Sequence, residues 1–296
     1  MIEVTFLGTG CMQPTKTRNH AGVLLSYGKE NILFDCGEGI QRQMRIAGIK
    51  PAKITRLCIS HFHGDHVFGI PGLLSSMGAD QFASKLKVYG PPGTKKYFEY
   101  MLQSFAAKDI IEHEICEVKP GVVVDEEEFT IEAQPLKHSV PCFGYRFQEK
   151  DRRRIALQKA QKLELAGPIL GKLQEGEDVM WNGKKVRADD VTTTIKGKSV
   201  SYVTDTTFCN GVEILSREAD LLLIEGTLLD NLRANAEKSL HLTVKQAALI
   251  ASENNVKKLV ITHISQRYKS SGEIMEEAQT YFNGAIVAED FMKIKL

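Results

Sequence analysis

Residues 60–66 read SHFHGDH and hold three histidines and one aspartate within seven positions. In an extended segment the side chains of His61 and His63 point to the same side, and a following turn would bring Asp65 and His66 beside them. Protonated imidazoles this close would repel one another, and burial would disfavour their charged forms, unless a cation held the group together. The spacing therefore predicts a metal site.

Other metal-capable side chains stand just past predicted strand ends. They are His138 in QPLKHSVP, Asp205 in SYVTDTT, His241 in SLHLT and His263 in VITHIS. Loops beyond strand ends are the usual place where an α/β sheet builds its site. A lone histidine after a strand is more often structural, but the HxHxDH cluster favours a shared site over accidental spacing. His20 and His113 are predicted to be surface or structural residues.

The composition is that of an ordinary globular protein. The chain has 296 residues, of which 43% are hydrophobic and 25% charged, and its formal net charge is +1. It can bury a sizeable core, and any contact with nucleic acid must come from a local patch. Six scattered cysteines without a CxxC pair favour reduced thiols over a disulfide framework. The start, MIEVTFLGTG, resembles no signal peptide and the aliphatic runs are short, which predicts a cytoplasmic protein without membrane association.

The element pattern predicts two mixed sheets. Strand-like runs such as NILFDCG, DLLLIEGT and VKKLVITH are bounded by turn residues, and LTVKQAALIASENN and GEIMEEAQTYFNG have helical patterns. Strands and helices alternate near both ends, while hairpins fill the middle. This pattern favours an α/β sandwich of mixed β-sheets.

One segment departs from this pattern. Residues 150–163 read KDRRRIALQKAQKL, and their six basic residues and one acidic residue give a net charge of +5, so that the rest of the chain sums to −4. We predict a basic helix here, followed by a stretch rich in glycine and charge that holds the only tryptophan, Trp181. One interpretation is a solvated helix and a long loop. The other is an inserted arm that holds a polyanion away from the catalytic centre.

Several motifs resemble those of a known family. HFHGDH resembles the signature of the metallo-β-lactamase fold, and His138, Asp205 and His263 occur in the order of its later motifs. The chain is closer still to ribonuclease Z, the tRNA 3′-processing endonuclease family of this fold. The motifs GTGCMQPTKTRNHAG, LFDCGEGIQRQM, SHFHGDHVFGIPGLL, VYGPPG, VTDT and THISQRY resemble that family's motifs, in order, over nearly the whole chain. HxHxDH alone is shared by hydrolases of many substrates. The motifs DCGEG, PTKTRN and THISQRY make the resemblance specific to ribonuclease Z.

The resemblance implies a single domain over residues 1–296. Its fold would be an αββα sandwich of two mixed β-sheets flanked by helices, with an inserted flexible tRNA-binding arm at residues 150–187.

The resemblance also implies two Zn²⁺ ions per subunit, with Mn²⁺ as an alternative. His61, His63 and His138 would hold one ion, Asp65, His66 and His263 would hold the other, and Asp205 would bridge both. Five neutral imidazoles and two carboxylates would neutralise half the charge of two zinc ions and leave the pair electrophilic. Two adjacent divalent ions can lower the pKa of bound water to about 7 and grip the non-bridging oxygens of a phosphodiester. In the family, Asp65 would also accept the proton of the attacking water and orient it.

Glu225 and His241 are candidates for protonating the departing 3′-oxygen, because a carboxylate can orient an imidazole and raise its pKa. The family motifs usually written HEAT and HST read Ile224-Glu225-Gly226-Thr227 and His241-Leu242-Thr243 here. The first histidine of HEAT is therefore replaced by Ile224. The alternative for Glu225 is a structural charge paired at the end of a buried strand.

The resemblance implies precursor tRNA as the partner of a homodimer. In the family, a PxKxRN loop contacts the 3′ end of the tRNA, and Lys16, Arg18 and Asn19 fit that pattern; the alternative is a solvated turn. Gly167-Pro168 resembles the Gly-Pro motif of the tRNA-gripping arm. Arg152, Arg153 and Arg154 are the expected arm contacts, because phosphate contacts position a nucleic acid.

The expected reaction is hydrolysis of precursor tRNA just after the discriminator nucleotide, leaving a 3′-hydroxyl on the tRNA and a 5′-phosphate on the trailer. The first alternative is a metallo-β-lactamase-fold hydrolase of small esters or phosphodiesters, for which the basic arm would have no use. A non-catalytic RNA-binding module is disfavoured because all seven expected ligands are present. Broader RNA processing is disfavoured because no added RNA-binding domain follows the sandwich.

Overall fold

The structure, a computed structural model, describes residues 1–80, 82, 84–106 and 111–296. The chain forms two compact units. The larger comprises residues 1–124, 131–147 and 199–296, and the smaller comprises residues 125–130 and 148–198. The segment 150–187, predicted as the arm, lies within the smaller unit. None of the helices in the described ranges combines the length and apolar character that a membrane crossing requires.

The strands of the described chain are β1 (Ile2–Gly8), β2 (Gly10–Cys11), β3 (Gly22–Tyr27), β4 (Glu30–Phe34), β5 (Arg56–Cys58), β6 (Leu86–Gly90), β7 (His113–Glu117), β8 (Gly121–Asp125), β9 (Phe129–Leu136), β10 (Cys142–Glu149), β11 (Arg152–Ile155), β12 (Val179–Trp181), β13 (Lys184–Val186), β14 (Thr192–Ile195), β15 (Ser199–Val203), β16 (Leu221–Glu225), β17 (Leu259–Thr262), β18 (Ile264–Ser265), β19 (Ile286–Val287) and β20 (Lys293–Lys295).

The helices are α1 (Ile40–Ile46), α2 (Gly64–Val67), α3 (Ile70–Ala79), α4 (Thr94–Gln103), α5 (Leu157–Lys162), α6 (Ile169–Gln174), α7 (Ala188–Val191), α8 (Asn210–Ser216), α9 (Arg233–Ser239), α10 (Val244–Glu253) and α11 (Gly272–Tyr281). Short 3₁₀ turns occupy Pro51–Lys53 and Asp230–Leu232.

Two large mixed sheets organise the fold. The first has the strand order β20-β1-β3-β4-β5-β6-β7 and the second β19-β17-β16-β15-β10-β9-β8. Strands β4 to β7 pair in parallel in the first sheet, and β15, β16, β17 and β19 pair in parallel in the second. The continuous apolar run of β16 is buried along its whole length, as expected for a strand with both faces covered.

An aromatic layer joins the inner faces of the two sheets. Phe34 of β4 stacks on Tyr202 of β15 with 5.3 Å between ring centroids. The hydroxyl of Tyr145, on β10, donates a hydrogen bond of 2.7 Å to the carbonyl oxygen of Ile59. Tyr145 is completely buried, so its hydroxyl needs this partner.

Helices cover the outer faces. Met44 of α1, Leu73 of α3 and Phe98 of α4 pack in one core cluster with the first sheet. Helices α8, α10 and α11 pack in a second cluster with the other sheet, which includes Leu215 and Ile274. The predicted αββα sandwich of the metallo-β-lactamase fold is thus confirmed.

The prediction of a basic helix over residues 150–163 is wrong in its first half. Arg152–Ile155 is the strand β11, which pairs antiparallel with β14, and only Leu157–Lys162 is helical. Strand β14 reads TTTI, and its β-branched residues favour extended backbone, so a partner about forty positions further along the chain decides the conformation.

The residues after the helix are not a long loop either. They form α6, α7 and the hairpin β12–β13. The smaller unit has a hydrophobic cluster of its own, formed by Ala160, Leu165, Leu173, Val179, Val186, Ala188 and Val191. The expected long loop is therefore wrong, because these apolar side chains are buried against one another. The expected solvated helix is confirmed over Leu157–Lys162, where only Ala160 is buried.

Candidate metal centre and active site

The candidate ligands gather at one edge of the sandwich. His61 and His63 follow β5, His138 follows β9, Asp205 follows β15 and His263 follows β17. Strands β15 and β17 run in the same direction, so their carboxyl ends meet at the same edge. Asp65 and His66 lie on the short helix α2, which begins directly after His63.

Three site residues have a left-handed backbone. Asp35 follows β4 with φ 56°, Asp205 follows β15 with φ 45°, and His263 follows β17 with φ 58°. Residues other than glycine adopt this region at a cost, which is of order 1–3 kcal/mol where the conformation is sparsely populated, and such residues cluster at functional sites. The surrounding fold therefore supports these three conformations.

The first group of ligand atoms belongs to His61, His63, His138 and Asp205, whose ligand atoms all lie within 4.8 Å of one another. His63 Nδ1 lies 3.1 Å from His61 Nε2 and 3.2 Å from His138 Nε2. Asp205 Oδ2 lies 3.7 Å from His61 Nε2 and 3.8 Å from His138 Nε2.

The second group belongs to Asp65, His66 and His263. The Nε2 atoms of His66 and His263 lie 3.3 Å apart, and Asp65 Oδ2 lies 3.5 Å from the first and 3.6 Å from the second. Asp205 Oδ1 lies 3.4 Å from His66 Nε2 and 3.2 Å from His263 Nε2. Asp205 therefore presents one carboxylate oxygen to each group.

The outer ring nitrogens have partners of their own. The pairs are His61 Nδ1 with Ser60 Oγ at 2.9 Å, His63 Nε2 with Ser139 Oγ at 3.4 Å, His66 Nδ1 with Asp35 Oδ2 at 2.7 Å, His138 Nδ1 with the Leu240 carbonyl oxygen at 3.3 Å and His263 Nδ1 with Thr227 Oγ1 at 3.0 Å. Metal-binding histidines commonly hold the ring in this way, since a proton on the outer nitrogen leaves the inner lone pair for an ion. Converging imidazole and carboxylate donors suit Zn²⁺ and related divalent ions, so the residues present fit a metal centre.

Asp35 was not predicted as a site residue, yet it holds the ligand His66 in place. It is fully buried and accepts hydrogen bonds from the Ser60 N–H at 2.7 Å, the Ser60 hydroxyl at 2.8 Å and the Tyr202 hydroxyl at 2.8 Å, besides that from His66. Its signal in the sequence is the aspartate of the DCGEG motif.

The two carboxylates of the centre are ionised. Burial raises the pKa of Asp205, but the imidazoles of His263 and His66 outweigh burial and lower it below the usual range. Burial likewise raises the pKa of Asp65, and hydrogen bonds with the same two histidines lower it well below its ordinary value. Both groups are therefore in the form that can bind a cation.

Glu225 and His241 form a contact beside the centre. Both carboxylate oxygens of Glu225 lie 3.1 Å from His241 Nδ1. Glu225 also accepts from the Thr206 N–H at 2.6 Å and the Thr227 hydroxyl at 2.7 Å. Burial lowers the pKa of His241, but the Glu225 carboxylate outweighs burial and raises it above its ordinary value.

His241 lies close to the candidate ligands, and the usual motif histidine is absent beside Glu225. The ligand atom of His241 also lies within 4.8 Å of those of Asp205 and His263, so the geometry allows His241 to be either a proton donor or a ligand. Ile224, at the position of the usual motif histidine, is fully buried in the apolar cluster around α10.

Five of the seven candidate ligands line a cavity of about 640 Å³. Its lining comprises Cys11, Met12, His20, Glu38, His63, Gly64, Asp65, Phe68, His138, Ser139, Asp205, Lys238, Ser239, Leu240, His241 and His263. The cavity is large enough to admit part of a polymeric substrate to the candidate ligands.

The PTKTRN loop divides into an exposed and a buried part. Lys16 is exposed, whereas Arg18 is only 8% exposed. The Arg18 guanidinium donates to Thr9 Oγ1 at 2.6 Å, the Ala288 carbonyl at 2.5 Å and Ser271 Oγ at 2.9 Å. The side chain of Asn19 donates to the Glu38 carbonyl at 2.8 Å. Arg18 and Asn19 thus hold the loop in place, and their contact with RNA remains a prediction.

The arm residues also differ from one another. Arg152 and Arg154 are exposed on β11, whereas the intervening Arg153 forms an ion pair of 2.6 Å with Asp189. Gly167 has φ 77°, a left-handed conformation that favours glycine, and Pro168 is the N-cap of α6. Their role in binding remains a prediction.

The fold and the converging side chains define the class. The chain is a metallo-β-lactamase-fold hydrolase whose histidine–aspartate cluster is compatible with metal binding. Among solved structures, human tRNase Z, short form, is similar with a TM-score of 0.73 and 27% identity, covering 99% of this chain and 98% of that one. The metallo-β-lactamase fold protein YhfI from Bacillus subtilis has a TM-score of 0.71 at 19% identity, over 99% of this chain and 98% of that one, and supports the fold alone.

Sequence relatives specify the family. The chain is 40% identical to ribonuclease Z of Methanothermobacter thermautotrophicus, covering 100% of this chain and 97% of that protein. It is 39% identical to ribonuclease Z of Nocardia farcinica, over 99% and 97%. The family model of the Anti-Pycsar protein Apyc1 matches residues 2–122. The chain belongs to the ribonuclease Z family.

Proposed function

We propose that this protein is a zinc-dependent endoribonuclease that cleaves precursor tRNA on the 3′ side of the discriminator nucleotide. The products would be a tRNA with a 3′-hydroxyl and a trailer with a 5′-phosphate. The observation that carries the proposal is the convergence of seven side chains in two groups that Asp205 joins. Membership of the ribonuclease Z family supports the choice of substrate.

His61, His63 and His138 would hold one Zn²⁺, Asp65, His66 and His263 the other, and Asp205 would bridge them, with Mn²⁺ as the alternative metal. When bound, the ions would supply Lewis-acid activation of the phosphodiester and a water of lowered pKa. The buried network of Asp35, Ser60 and Thr227 would keep the imidazoles oriented without reorganisation during the reaction.

Asp65 would orient the attacking water and accept its proton. One of its oxygens, Oδ2, already accepts the backbone N–H of Met12 at 2.8 Å, which restricts the rotation of the carboxylate. His241, held by Glu225, would donate a proton to the departing 3′-oxygen. The Met12–Asp65 and Glu225–His241 contacts would keep Asp65 and His241 in one orientation relative to the scissile bond.

Lys16 on its loop and the exposed Arg152 and Arg154 on β11 would contact the RNA phosphates. Gly167 and Pro168 would shape the arm, and Arg153 would support it through Asp189. A homodimer rests on the resemblance of the motifs to the family. A cytoplasmic location rests on the composition, with scattered cysteines and short aliphatic runs.

Mapping the ends of the product tests this function. Purified protein is incubated with a 3′-extended precursor tRNA, with and without a chelator. We expect one cut directly after the discriminator, loss of cleavage with the chelator and recovery on adding Zn²⁺. Asp65→Ala, with its metal content measured and restored, should be inactive. An intact precursor beside active hydrolysis of a small ester would instead favour a small-molecule hydrolase.

A further inference from the structure

Two large apolar side chains lie exposed at the catalytic cavity. Phe68 is 66% exposed and Met12 is 69% exposed. Both line the cavity that Asp65 and His263 also line. An exposed apolar side chain is common on a protein surface, but two of them in the lining of a site built from charged groups call for a ligand with an apolar face.

The Phe68 ring is held by the same turn that carries the candidate ligands. Phe68 is the C-cap of α2, which contains Asp65 and His66. A Cβ atom on Gly64 would lie 2.3 Å from Cε2 of the Phe68 ring, so the glycine leaves the space that the ring occupies. The ring is thus supported on the side of Gly64 while most of its surface stays open.

Met12 is fixed in an unusual conformation. Its φ of 51° lies in the left-handed region, which unbranched non-glycine residues rarely adopt. Its N–H donates to Asp65 Oδ2 at 2.8 Å, and its carbonyl oxygen lies 3.0 Å from Nε2 of the buried His20. The backbone is therefore anchored next to Asp65, while the side chain remains exposed.

Building on the proposed ribonuclease function, we propose that Phe68 and Met12 form a stacking subsite for the nucleobase of the first trailer nucleotide. An RNA phosphodiester carries a nucleobase on each side of the cut, and every base has an apolar π-face that stacks on aromatic side chains. Stacking would tolerate any base at this position.

The direction of in-line displacement assigns this subsite to the trailer. The attacking water and the departing 3′-oxygen lie on opposite sides of the phosphorus. In the proposed function, His241 acts on the departing oxygen, which belongs to the discriminator. Met12, by contrast, donates its N–H to the water-orienting Asp65, and Phe68 ends the helix that carries Asp65. The nucleobase nearest to Phe68 and Met12 is therefore that of the first trailer nucleotide, not that of the discriminator.

A cycle that combines Phe68→Ala with abasic RNA tests the subsite. The substrates are an intact precursor tRNA, one that is abasic at the first trailer nucleotide and one that is abasic at the discriminator. We expect Phe68→Ala and the trailer abasic site each to lower kcat/KM about tenfold, mainly through KM. Their combination should lower it no further, because each change removes the same stack. Phe68→Tyr, which keeps the ring, should retain the wild-type value.

Several outcomes would overturn the subsite. Multiplicative losses with the trailer abasic site would show that Phe68 and this base do not interact, and coupling to the discriminator would place the stack on the other side. A changed mass of Phe68→Ala in solution would assign the ring to an interface between copies of the chain. If the wild-type protein leaves the intact precursor uncleaved, the proposed function fails, and dissociation constants for the same three RNAs then test the stack.

Discussion

At the scale of single residues, the centre depends on what each ring nitrogen faces. The inner nitrogens of the five histidines point at one another and at Asp205, while the outer nitrogen of each lies beside a hydroxyl, carbonyl or carboxylate oxygen. Asp35 is the extreme case, since one buried carboxylate connects His66 with Ser60 and with the opposite sheet through Tyr202. Contacts within the fold thereby orient the ligand side chains.

His241→Ala separates proton donation from metal binding. We expect cleavage of precursor tRNA to fall by roughly 10²–10⁴-fold, because the departing 3′-oxygen needs a proton. Hydrolysis of bis(p-nitrophenyl) phosphate should fall much less, since p-nitrophenolate leaves without one. Rates on both substrates and the bound metal are measured together. Equal losses on the two substrates, or loss of one metal equivalent, would instead make His241 a ligand.

At the scale of elements, the PTKTRN loop combines the exposed Lys16 with the buried guanidinium of Arg18. Arg18 reaches Thr9 in the turn after β1, Ser271 at the start of α11 and the carbonyl of Ala288 after β19. Asp290 accepts from the Asn19 N–H at 2.7 Å and from the Thr9 hydroxyl at 2.7 Å, which anchors the same loop again. A family motif thus contains residues with opposite surroundings.

Matched substitutions at Arg18 and Lys16 test whether the buried cation stabilises the fold while the exposed one binds tRNA. Arg18→Met removes charged hydrogen bonds inside the protein and should cost about 3 kcal/mol, a fall in melting temperature of roughly 5–10 °C. Lys16→Met removes an exposed charge and should change stability by less than about 0.5 kcal/mol while weakening tRNA binding. Thermal unfolding and tRNA affinity are measured for both variants. An unchanged melting temperature for Arg18→Met would contradict the structural role of the guanidinium.

At the scale of the whole molecule, the proposed tRNA-binding arm and the candidate metal centre belong to different units of the chain. The candidate metal centre lies in the larger unit, and residues 148–198 belong to a unit with a hydrophobic cluster of its own. Because that cluster is local, we expect substitutions on the surface of the smaller unit to leave the packing around the ligands unchanged.

Arg152→Gln combined with Arg154→Gln tests the arm. We expect weaker tRNA binding and a salt dependence with a slope lower by about 2, because two phosphate contacts are lost. Hydrolysis of bis(p-nitrophenyl) phosphate should stay at the wild-type rate. Arg153→Gln is the matched control, since its ion pair with Asp189 lies within the arm. A wild-type salt slope for the double variant would exclude these two arginines from phosphate contact.

Local sequence was enough to predict much of the site. The HxHxDH spacing brings four ligand candidates together through one strand end and one helical turn, and continuous apolar runs such as that of β16 predict buried strands. These features depend on interactions within a few residues. The basic helix over residues 150–163 was wrong because the extended conformation of Arg152–Ile155 depends on pairing with Thr192–Ile195, which no local pattern reveals.

By itself, then, the amino-acid sequence determined which residue types could bind a metal, the approximate elements that carry them and the family. Only the tertiary structure decided that Asp205 presents an oxygen to each group, that Arg18 is buried while Lys16 is exposed, and that Phe68 lies open at the cavity. The physical reason is that burial, ring-nitrogen partners and left-handed turns such as that of Asp205 are set by contacts between segments far apart in the chain.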